Sequence, residues 1–194
     1  MRTILARAIA LAAVAATTIG GFTGTAAAAG GVGVTSTTIV DGAGVLTDDF
    51  GDHADEMGEI CRGCSNSGNT DLVILWQSIL AAEGLLSAGS VDGEFGDRTH
   101  TATVQWQRDF GLAGDGRVGD NTWGAADDRL YGADGALVYY RPKSGGDGKV
   151  WLDRDSSSTL YAFASVRDKS GGCLQANPTT EIHLFKRTIS LRSC

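Results

Sequence analysis

Two copies of one eight-residue pattern constrain the fold of this chain more than any other sequence feature. The first octet, residues 92–99, reads DGEFGDRT, and the second octet, residues 115–122, reads DGRVGDNT; both follow D-G-x-(apolar)-G-D-x-T, 23 positions apart. The Asp-Gly pair predicts a turn, because glycine tolerates the positive φ that such turns require. Asp97 and Asp120, later in each copy, are natural helix N-caps. Each octet is therefore expected to be a turn that leads directly into a helix.

Apolar residues recur at the helical i, i+3, i+4 spacing in three segments, 71–83, 98–110 and 121–130. We expect Thr70 or Asp71 to cap the first helix, and Gly84 and Gly111 to lie just beyond the ends of the first and second. The residues predicted to face inward are Leu72, Leu75, Trp76, Ile79, Leu80, Thr99, Ala102, Thr103, Trp106, Phe110, Trp123, Ala126 and Leu130. The octets and helices together predict a small three-helix bundle.

Neither octet has the pattern of an ion or phosphate site. Calcium loops need oxygen ligands at alternating positions, and here Gly93 and Gly116 directly follow the first Asp. The chain has no G-x-x-x-x-G-K-[ST] phosphate loop and no G-x-S-x-G nucleophile motif, and residues 114–119, GDGRVG, have the spacing of G-x-G-x-x-G but lie between two predicted helices rather than after a strand. A hydrolytic zinc site would require His53, His100 and His183 to converge, and we expect surface or loop histidines instead. The sequence thus predicts no catalytic residue, no metal and no cofactor.

Residues 1–29 have the features of a secretory signal peptide. Arg2 and Arg7 precede an apolar stretch from Ala8 to Ile19, and A-x-A cleavage sites follow near residues 26–29. The apolar run is shorter than the roughly 20 residues that span a bilayer. We therefore expect a soluble protein that is exported.

Removal of residues 1–29 changes the formal net charge from −7 to −9, since they contain two arginines and no acidic residue. An acidic chain lacks the basic face that neutralises nucleic-acid phosphates, so a nucleic-acid partner is not expected. The same charge argues against adsorption onto anionic lipid or teichoic acid by charge alone. Any surface polymer would have to be held by shape, stacking and hydrogen bonds.

Four cysteines in an exported chain favour two disulfides, for which three pairings exist. Cys61 pairing with Cys64 and Cys173 with Cys194 is preferred because both pairs are local, and a pairing across the chain stays open. A redox C-x-x-C site and a four-thiolate zinc site are the alternatives. Both are disfavoured, since Cys61 and Cys64 lie in a polar loop and the other two cysteines are not a close pair.

The segments on either side of the predicted bundle differ from it in composition. Residues 30–70 are rich in Gly, Thr, Ser and Asp, which predicts a flexible lead-in containing the Cys61-x-x-Cys64 loop. Residues 136–194 contain short β-branched or aromatic stretches between turns, which predicts three to five antiparallel strands. We expect a hairpin across KSGGDG and a closing Cys173–Cys194 disulfide. The predicted fold class is α+β, with a helical domain at 71–132 followed by a disulfide-stapled β-unit.

The helical segment resembles the three-helix peptidoglycan-binding domain found in secreted cell-wall proteins. The resemblance covers residues 71–130 and departs from the family pattern mainly at Asp97 and Asp120, where proline is common, and at Thr103, where an aliphatic residue is. The matching positions are Val73, Trp76, Gln77, Val91, Asp92, Gly93, Phe95, Gly96, Thr99, Ala102, Trp106, Gln107, Gly111, Leu112, Asp115, Gly116, Val118, Gly119, Thr122 and Trp123.

The resemblance implies that the chain binds peptidoglycan, through its glycan strand or its stem peptide, and carries out no reaction. Polar groups flanking the octets are the candidate ligand contacts: Arg98, Gln105, Arg117 and Asn121, with Asp92 and Asp115 shaping the loops. We expect a monomer without a membrane span. Two alternatives are a wall hydrolase with an unrecognised catalytic unit near His183, and a secreted inhibitor or interaction protein on the same scaffold.

The aromatic residues of the C-terminal unit have two possible roles. Tyr139, Tyr140, Trp151 and Tyr161 could be stacking faces for a second wall or carbohydrate contact. A β-unit this small also needs aromatic side chains to build its own core. We favour the core role.

Overall fold

The computed structural model describes residues 57–133, 137–154 and 160–194, together with Ile39 and Phe50. The predicted signal peptide at residues 1–29 lies outside these residues. In this part of the chain, no helix combines the length and the hydrophobicity needed to cross a membrane.

The described residues contain three α-helices, α1 (Asp71–Ala82), α2 (Asp97–Asp109) and α3 (Asp120–Asp127), as the sequence predicts, and a short 3₁₀ turn at Ala88–Ser90. The prediction of a single inward stripe on α1 is wrong, because all of its residues are buried. The helix packs against α2 on one side and against two strands on the other. Its near-uniform hydrophobicity is typical of a helix enclosed on every face.

The helix ends follow the predicted chemistry at α1 and differ at α2 and α3. Thr70 caps α1 by accepting a hydrogen bond from the Val73 amide at 3.3 Å, and Gly84 and Gly111 adopt positive φ just beyond α1 and α2. Asp97 and Asp120 are not the N-caps. They are the first helical residues and follow a glycine in extended conformation that provides no side-chain cap. Their carboxylates still lie in the first turn, where the helix dipole favours negative charge.

The sheet has six antiparallel strands in the described residues, arranged side by side in chain order. They are β1 (Leu130–Ala133), β2 (Leu137–Tyr140), β3 (Lys149–Arg154), β4 (Tyr161–Arg167), β5 (Cys173–Glu181) and β6 (Leu191–Ser193). Five of them, β2 to β6, lie in residues 136–194, in agreement with the predicted three to five strands. The sixth strand, β1, precedes that segment and begins at Leu130, which the sequence assigned to the third helix. Leu130 is fully buried as predicted, but as the first residue of a strand.

One face of the sheet covers the helices, so that both units share one hydrophobic core. Strands β3 and β4 contact α1 directly. Tyr140 and Tyr161 are fully buried, which confirms the predicted core role for these two side chains. Tyr139 and Trp151 are half-buried and point to the opposite face, because side chains alternate along a strand.

Two isolated apolar residues of the segment 30–70 pack against the sheet and the helices. Ile39 and Phe50 are buried in the shared core. The Ile39 amide donates to the Ile182 carbonyl at 3.1 Å, and the Phe50 ring contacts the rings of Trp123 and Tyr161. These apolar residues are isolated within polar sequence, so no local periodicity indicates that they reach the core.

Both local disulfides are present, Cys61–Cys64 and Cys173–Cys194. The second joins the start of β5 to the residue after β6, as expected for a bridge that closes the β-unit. The predicted hairpin also forms, since β2 and β3 pair on either side of the 143–148 segment. All four cysteines are in these two bridges, which is the preferred pairing.

Candidate functional site

A buried glutamine holds the first octet in place. Gln77 on α1 is 1% exposed, and its side-chain amide donates to Asp92 Oδ1 at 2.8 Å, the Glu94 carbonyl at 3.0 Å and Thr99 Oγ1 at 3.0 Å. Its Oε1 accepts from the amides of Asp92 and Gly93 at 3.0 and 2.8 Å. One side chain therefore makes hydrogen bonds to five polar groups of the first octet.

The same arrangement recurs at the second octet. Gln107 on α2 donates to Asp115 Oδ1 at 2.9 Å, the Arg117 carbonyl at 2.7 Å and Thr122 Oγ1 at 3.2 Å, and its Oε1 accepts from the Gly116 amide at 2.8 Å. Gln77 lies 15 residues before Asp92, whereas Gln107 lies 8 residues before Asp115. The glutamines are therefore not repeated at the same spacing as the octets. The repeated Trp-Gln pair is the sequence signal that identifies them.

Both octets adopt the same geometry, which explains why the motif has a glycine and an apolar residue at fixed positions. Gly93 and Gly116 both have positive φ, as the turns require, and the His100 ring lies directly against Gly116 where a Cβ would project. Phe95 and Val118 are buried beneath the turns. Each of the three helices contributes one fully buried tryptophan, and the Trp76 ring packs edge-to-face against the rings of Trp106 and Trp123. These tryptophans belong to the core.

Asp115 is stabilised in its charged form by the loop that it shapes. The Arg117 amide donates to its Oδ1 at 2.9 Å, and this hydrogen bond is the main cause that lowers the pKa of the Asp115 carboxyl below its usual value of 3.8. Gln107 and the Arg117 charge act in the same direction. The second octet is thus most stable with this carboxylate ionised.

Asp115→Asn is expected to reduce the free energy of unfolding by about 0.5 kcal/mol at pH 7, because the carboxylate is exposed and asparagine keeps one acceptor oxygen. The folded pKa is lowered, so this contribution is present above the unfolded pKa of 3.8 and is lost as the pH falls through the folded pKa. Urea unfolding of both proteins at pH 7, 5, 4 and 3 measures the difference. A difference that stays constant to pH 3 would contradict the role of the charge.

The Cys61–Cys64 loop connects the two octets. Ile60 pairs with Val118 through two backbone hydrogen bonds of 3.1 and 2.9 Å, which places Glu59 beside Arg117 in an ion pair. This contact is the main cause that raises the pKa of the Arg117 guanidinium. On the other side of the loop, Arg62 pairs with Asp97 at 2.6 Å and lowers the pKa of that carboxyl.

A polar pocket of about 370 Å³ lies beside the second octet. Its lining includes three of the six predicted binding residues, Asp115, Arg117 and Asn121, together with Glu59, Gln107 and Asp120. Side chains with donors and acceptors thus converge on one concave surface, held from below by the Gln107 network. The pocket can form hydrogen bonds to amide, hydroxyl and carboxylate groups of a ligand.

The other predicted binding residues lie elsewhere. Arg98 and Gln105 line a more apolar groove of about 660 Å³ between α2 and the 3₁₀ turn. Asp92 lines neither depression, and it shapes the first octet by accepting from the Glu94 amide at 2.9 Å. The six residues therefore do not form a single site, because the two octets lead into different helices.

The C-terminal segment is tied to the helical domain by a buried carboxylate that the sequence does not single out. Asp71, fully buried at the start of α1, accepts from the amides of His183, Thr188 and Ile189 at 3.2, 2.8 and 2.9 Å, and from Thr188 Oγ1 at 2.6 Å. From the same segment, Arg187 donates to the Asp92 carbonyl at 2.5 Å.

A second junction forms where α1 ends. The Tyr140 hydroxyl donates to Glu83 Oε1 at 2.6 Å and accepts from Trp106 Nε1 at 3.3 Å, while the Lys143 amide donates to the same Glu83 oxygen at 2.9 Å. Burial, and then the neighbouring Glu83 charge, raise the pKa of Tyr140 well above its usual value. These contacts fix the sheet against the helices.

Among the described residues, Glu59, Cys61 and Cys64 form a cluster with the ligand types of a metal site. Both sulfur atoms are in a disulfide, so the cluster lacks the thiolates that metal binding requires. Two of the three histidines, His100 and His183, are described, and they lie on α2 and on the segment after β5.

Comparison with known families identifies the segment that contains both octets. Residues 69–126 match the family model described as "Putative peptidoglycan binding domain". The match includes both glutamine networks and ends within α3, which confirms the resemblance seen in the sequence. No curated protein and no solved structure matches the chain.

Proposed function

We propose, starting from the peptidoglycan-binding domain at residues 69–126, that this chain is a secreted, non-catalytic protein that binds the peptidoglycan of the cell wall. The observation that carries the proposal is the polar pocket beside the second octet. The second octet lies within the matched segment. The signal-like residues 1–29 support export.

The pocket offers the chemistry that peptidoglycan requires. Arg117 and Asn121 are exposed at its edge and supply donors for carboxylate and carbonyl oxygens, while Glu59 and Asp120 supply acceptors for amide and hydroxyl groups. Hydrogen bonds to backbone and to Gln107 hold the loop before any ligand arrives. A surface organised in advance loses less conformational entropy when it binds.

The double substitution Arg117→Ala/Asn121→Ala is expected to weaken binding to purified wall sacculi by about tenfold or more, since it removes the exposed donors of the pocket. Co-sedimentation with increasing amounts of sacculi measures the affinity. Both side chains are exposed, so the variant should unfold like the wild type.

The matched control is Arg98→Ala/Gln105→Ala, which changes the same types of group in the groove between α2 and the 3₁₀ turn. This variant is expected to sediment like the wild type. The opposite pattern would move the binding site to the groove. Equal binding of wild type and both variants would reject both surfaces.

The surroundings of His183 support a non-catalytic role. Within the described residues, His183 Nδ1 is buried and has no hydrogen-bond partner, so no carboxylate holds this ring nitrogen. The turbidity of the same sacculi suspensions should therefore stay constant. Lysis that His183→Ala abolishes would instead establish the hydrolase.

A further inference from the structure

The solvent face of the sheet carries a row of aromatic side chains, all of them C-terminal to the segment that matches the peptidoglycan-binding domain. Strand register places Tyr131 opposite Tyr139 and Tyr139 opposite Trp151, on the face that points away from α1. All three side chains are half-buried. Ring centroids are 5.9 Å apart in the first pair and 5.0 Å apart in the second. These three residues, the aromatic row, form a continuous strip across three strands.

A row of positive charges lies beside the aromatic row. Lys149 is opposite Arg167 in the β3–β4 register. The Arg141 amide donates to the Arg129 carbonyl at 2.9 Å, and this bond extends the β1–β2 ladder by one residue. Because Tyr140 is opposite Val150, Arg141 comes next to Lys149. Four neighbouring strands thus carry the cationic row Arg129, Arg141, Lys149 and Arg167, of which Arg129 also donates to the carbonyls of Arg141 and Pro142 at 2.9 and 3.1 Å.

The two rows form one surface. The Arg141 guanidinium carbon lies 5.5 Å from the Tyr131 ring centroid, and Lys149 Nζ lies 5.1 and 5.3 Å from the centroids of Tyr139 and Trp151. Residues of the two rows are two positions apart along each strand, which corresponds to about 7 Å. The long side chains of Arg141 and Lys149 span this distance and bring their charges over the rings, so a ligand on this face meets apolar ring surface and positive charge together.

The cationic row has a charge opposite to that of the protein, while Asp153, two positions beyond Trp151 on β3, places a carboxylate on the far side of the aromatic row. The chain has a formal net charge of −7, yet no aspartate or glutamate among the described residues pairs with any of the four cations of the row. Like charges on neighbouring strands repel one another. A polyanion laid across the strands would relieve this repulsion and would be attracted to the face selectively.

We propose that this face binds a polysaccharide whose sugar rings carry carboxylate groups. The apolar faces of the sugars would contact the aromatic row, and the carboxylates would contact the cationic row, where guanidinium groups match their planar geometry. A polymer linked through phosphodiesters fits less well, since its charges lie in line with the chain rather than beside the rings. This surface is separate from the pocket proposed for peptidoglycan.

Tryptophan fluorescence tests the proposal directly. Trp76, Trp106 and Trp123 are fully buried, so Trp151 is the tryptophan that a ligand on this face would touch. Titration with polygalacturonate is expected to change the emission and to protect it from acrylamide quenching, with an affinity that falls as salt is raised. Dextran, a neutral polysaccharide, should have no effect. No change with polygalacturonate would overturn the proposal.

Matched charge variants locate the site. Lys149→Gln/Arg167→Gln is expected to weaken polygalacturonate binding at least tenfold, whereas Lys186→Gln/Arg108→Gln removes the same charges from exposed positions elsewhere and should retain it. If both variants lose the same amount of polygalacturonate affinity, the net charge of the protein explains the loss and the site is rejected. Tighter binding of poly(glycerol phosphate) than of polygalacturonate would reject the carboxylate ligand.

The variants of the peptidoglycan pocket keep the two proposals distinguishable. Arg117→Ala/Asn121→Ala should bind polygalacturonate like the wild type, because neither residue lies on the sheet. If it loses this binding, the polysaccharide occupies the helical domain and the inference about the sheet fails. If the variant loses binding to sacculi but still binds polygalacturonate, the proposal for the sheet is supported independently of the peptidoglycan pocket.

Discussion

Asp71→Ala is expected to lower the free energy of unfolding by about 3–5 kcal/mol, one of the largest effects of any single substitution outside the hydrophobic core. The Asp71 carboxylate is fully buried and accepts four hydrogen bonds from the segment that follows β5. Its removal leaves buried amides of Thr188 and Ile189 without an acceptor. Urea unfolding measures the change, and hydrogen exchange at these two amides should accelerate.

Asp120→Ala is the matched control, since Asp71 and Asp120 are the first residues of their helices. Asp120 is exposed and contributes mainly through the helix dipole, which is worth about 0.3–1 kcal/mol at such a position. The contrast between the two variants isolates the contribution of the buried contacts. Equal destabilisation by both substitutions would show that Asp71 does not hold the C-terminal segment.

Gln77→Met is expected to cost about 3 kcal/mol, because methionine has a similar volume but cannot hydrogen-bond to the first octet. The amides of Asp92 and Gly93 would lose their acceptor, and the Glu94 carbonyl would lose a donor. The measurement is chemical denaturation followed by circular dichroism. The stability should be lost because the octet turn loses its hydrogen bonds, and not because the substitution leaves a cavity.

Gln105→Met provides the control, since this glutamine is exposed on α2 and, among the described residues, donates to Asp109 one turn further along the same helix. Its expected effect is within about 0.5 kcal/mol. Gln107→Met should resemble Gln77→Met, because the second octet depends on the same kind of network. If Gln77→Met is as mild as Gln105→Met, the buried amide network does not stabilise the turn.

The octets show how far local sequence information reaches. Turn glycines, buried Phe95 and Val118, and the helices that follow were all predictable, because each depends on residues within about one turn of the chain. The glutamine networks were visible only as repeated Trp-Gln pairs. Their partners are set by how α1 and α2 lie over the loops, which the spacing of the octets does not reveal.

The errors of the sequence interpretation have one cause. Leu130 satisfied a helical spacing but begins a strand, and α1 is buried on the side opposite its predicted stripe as well. Ile39 and Phe50 lie in polar sequence and still reach the core. In each instance a long-range contact with the sheet decides the environment, and local propensity is too weak to oppose it.

The sequence by itself determined the three helices, the local disulfides, the α+β class and the family of residues 69–126, because these features depend on short spacings and ordered motifs. The tertiary structure decided which polar residues share a pocket, where Asp71 finds partners more than 100 residues away, and how aromatic and basic side chains align across strands. Strand register sets these alignments, and it depends on packing of the whole sheet against α1 rather than on any single strand.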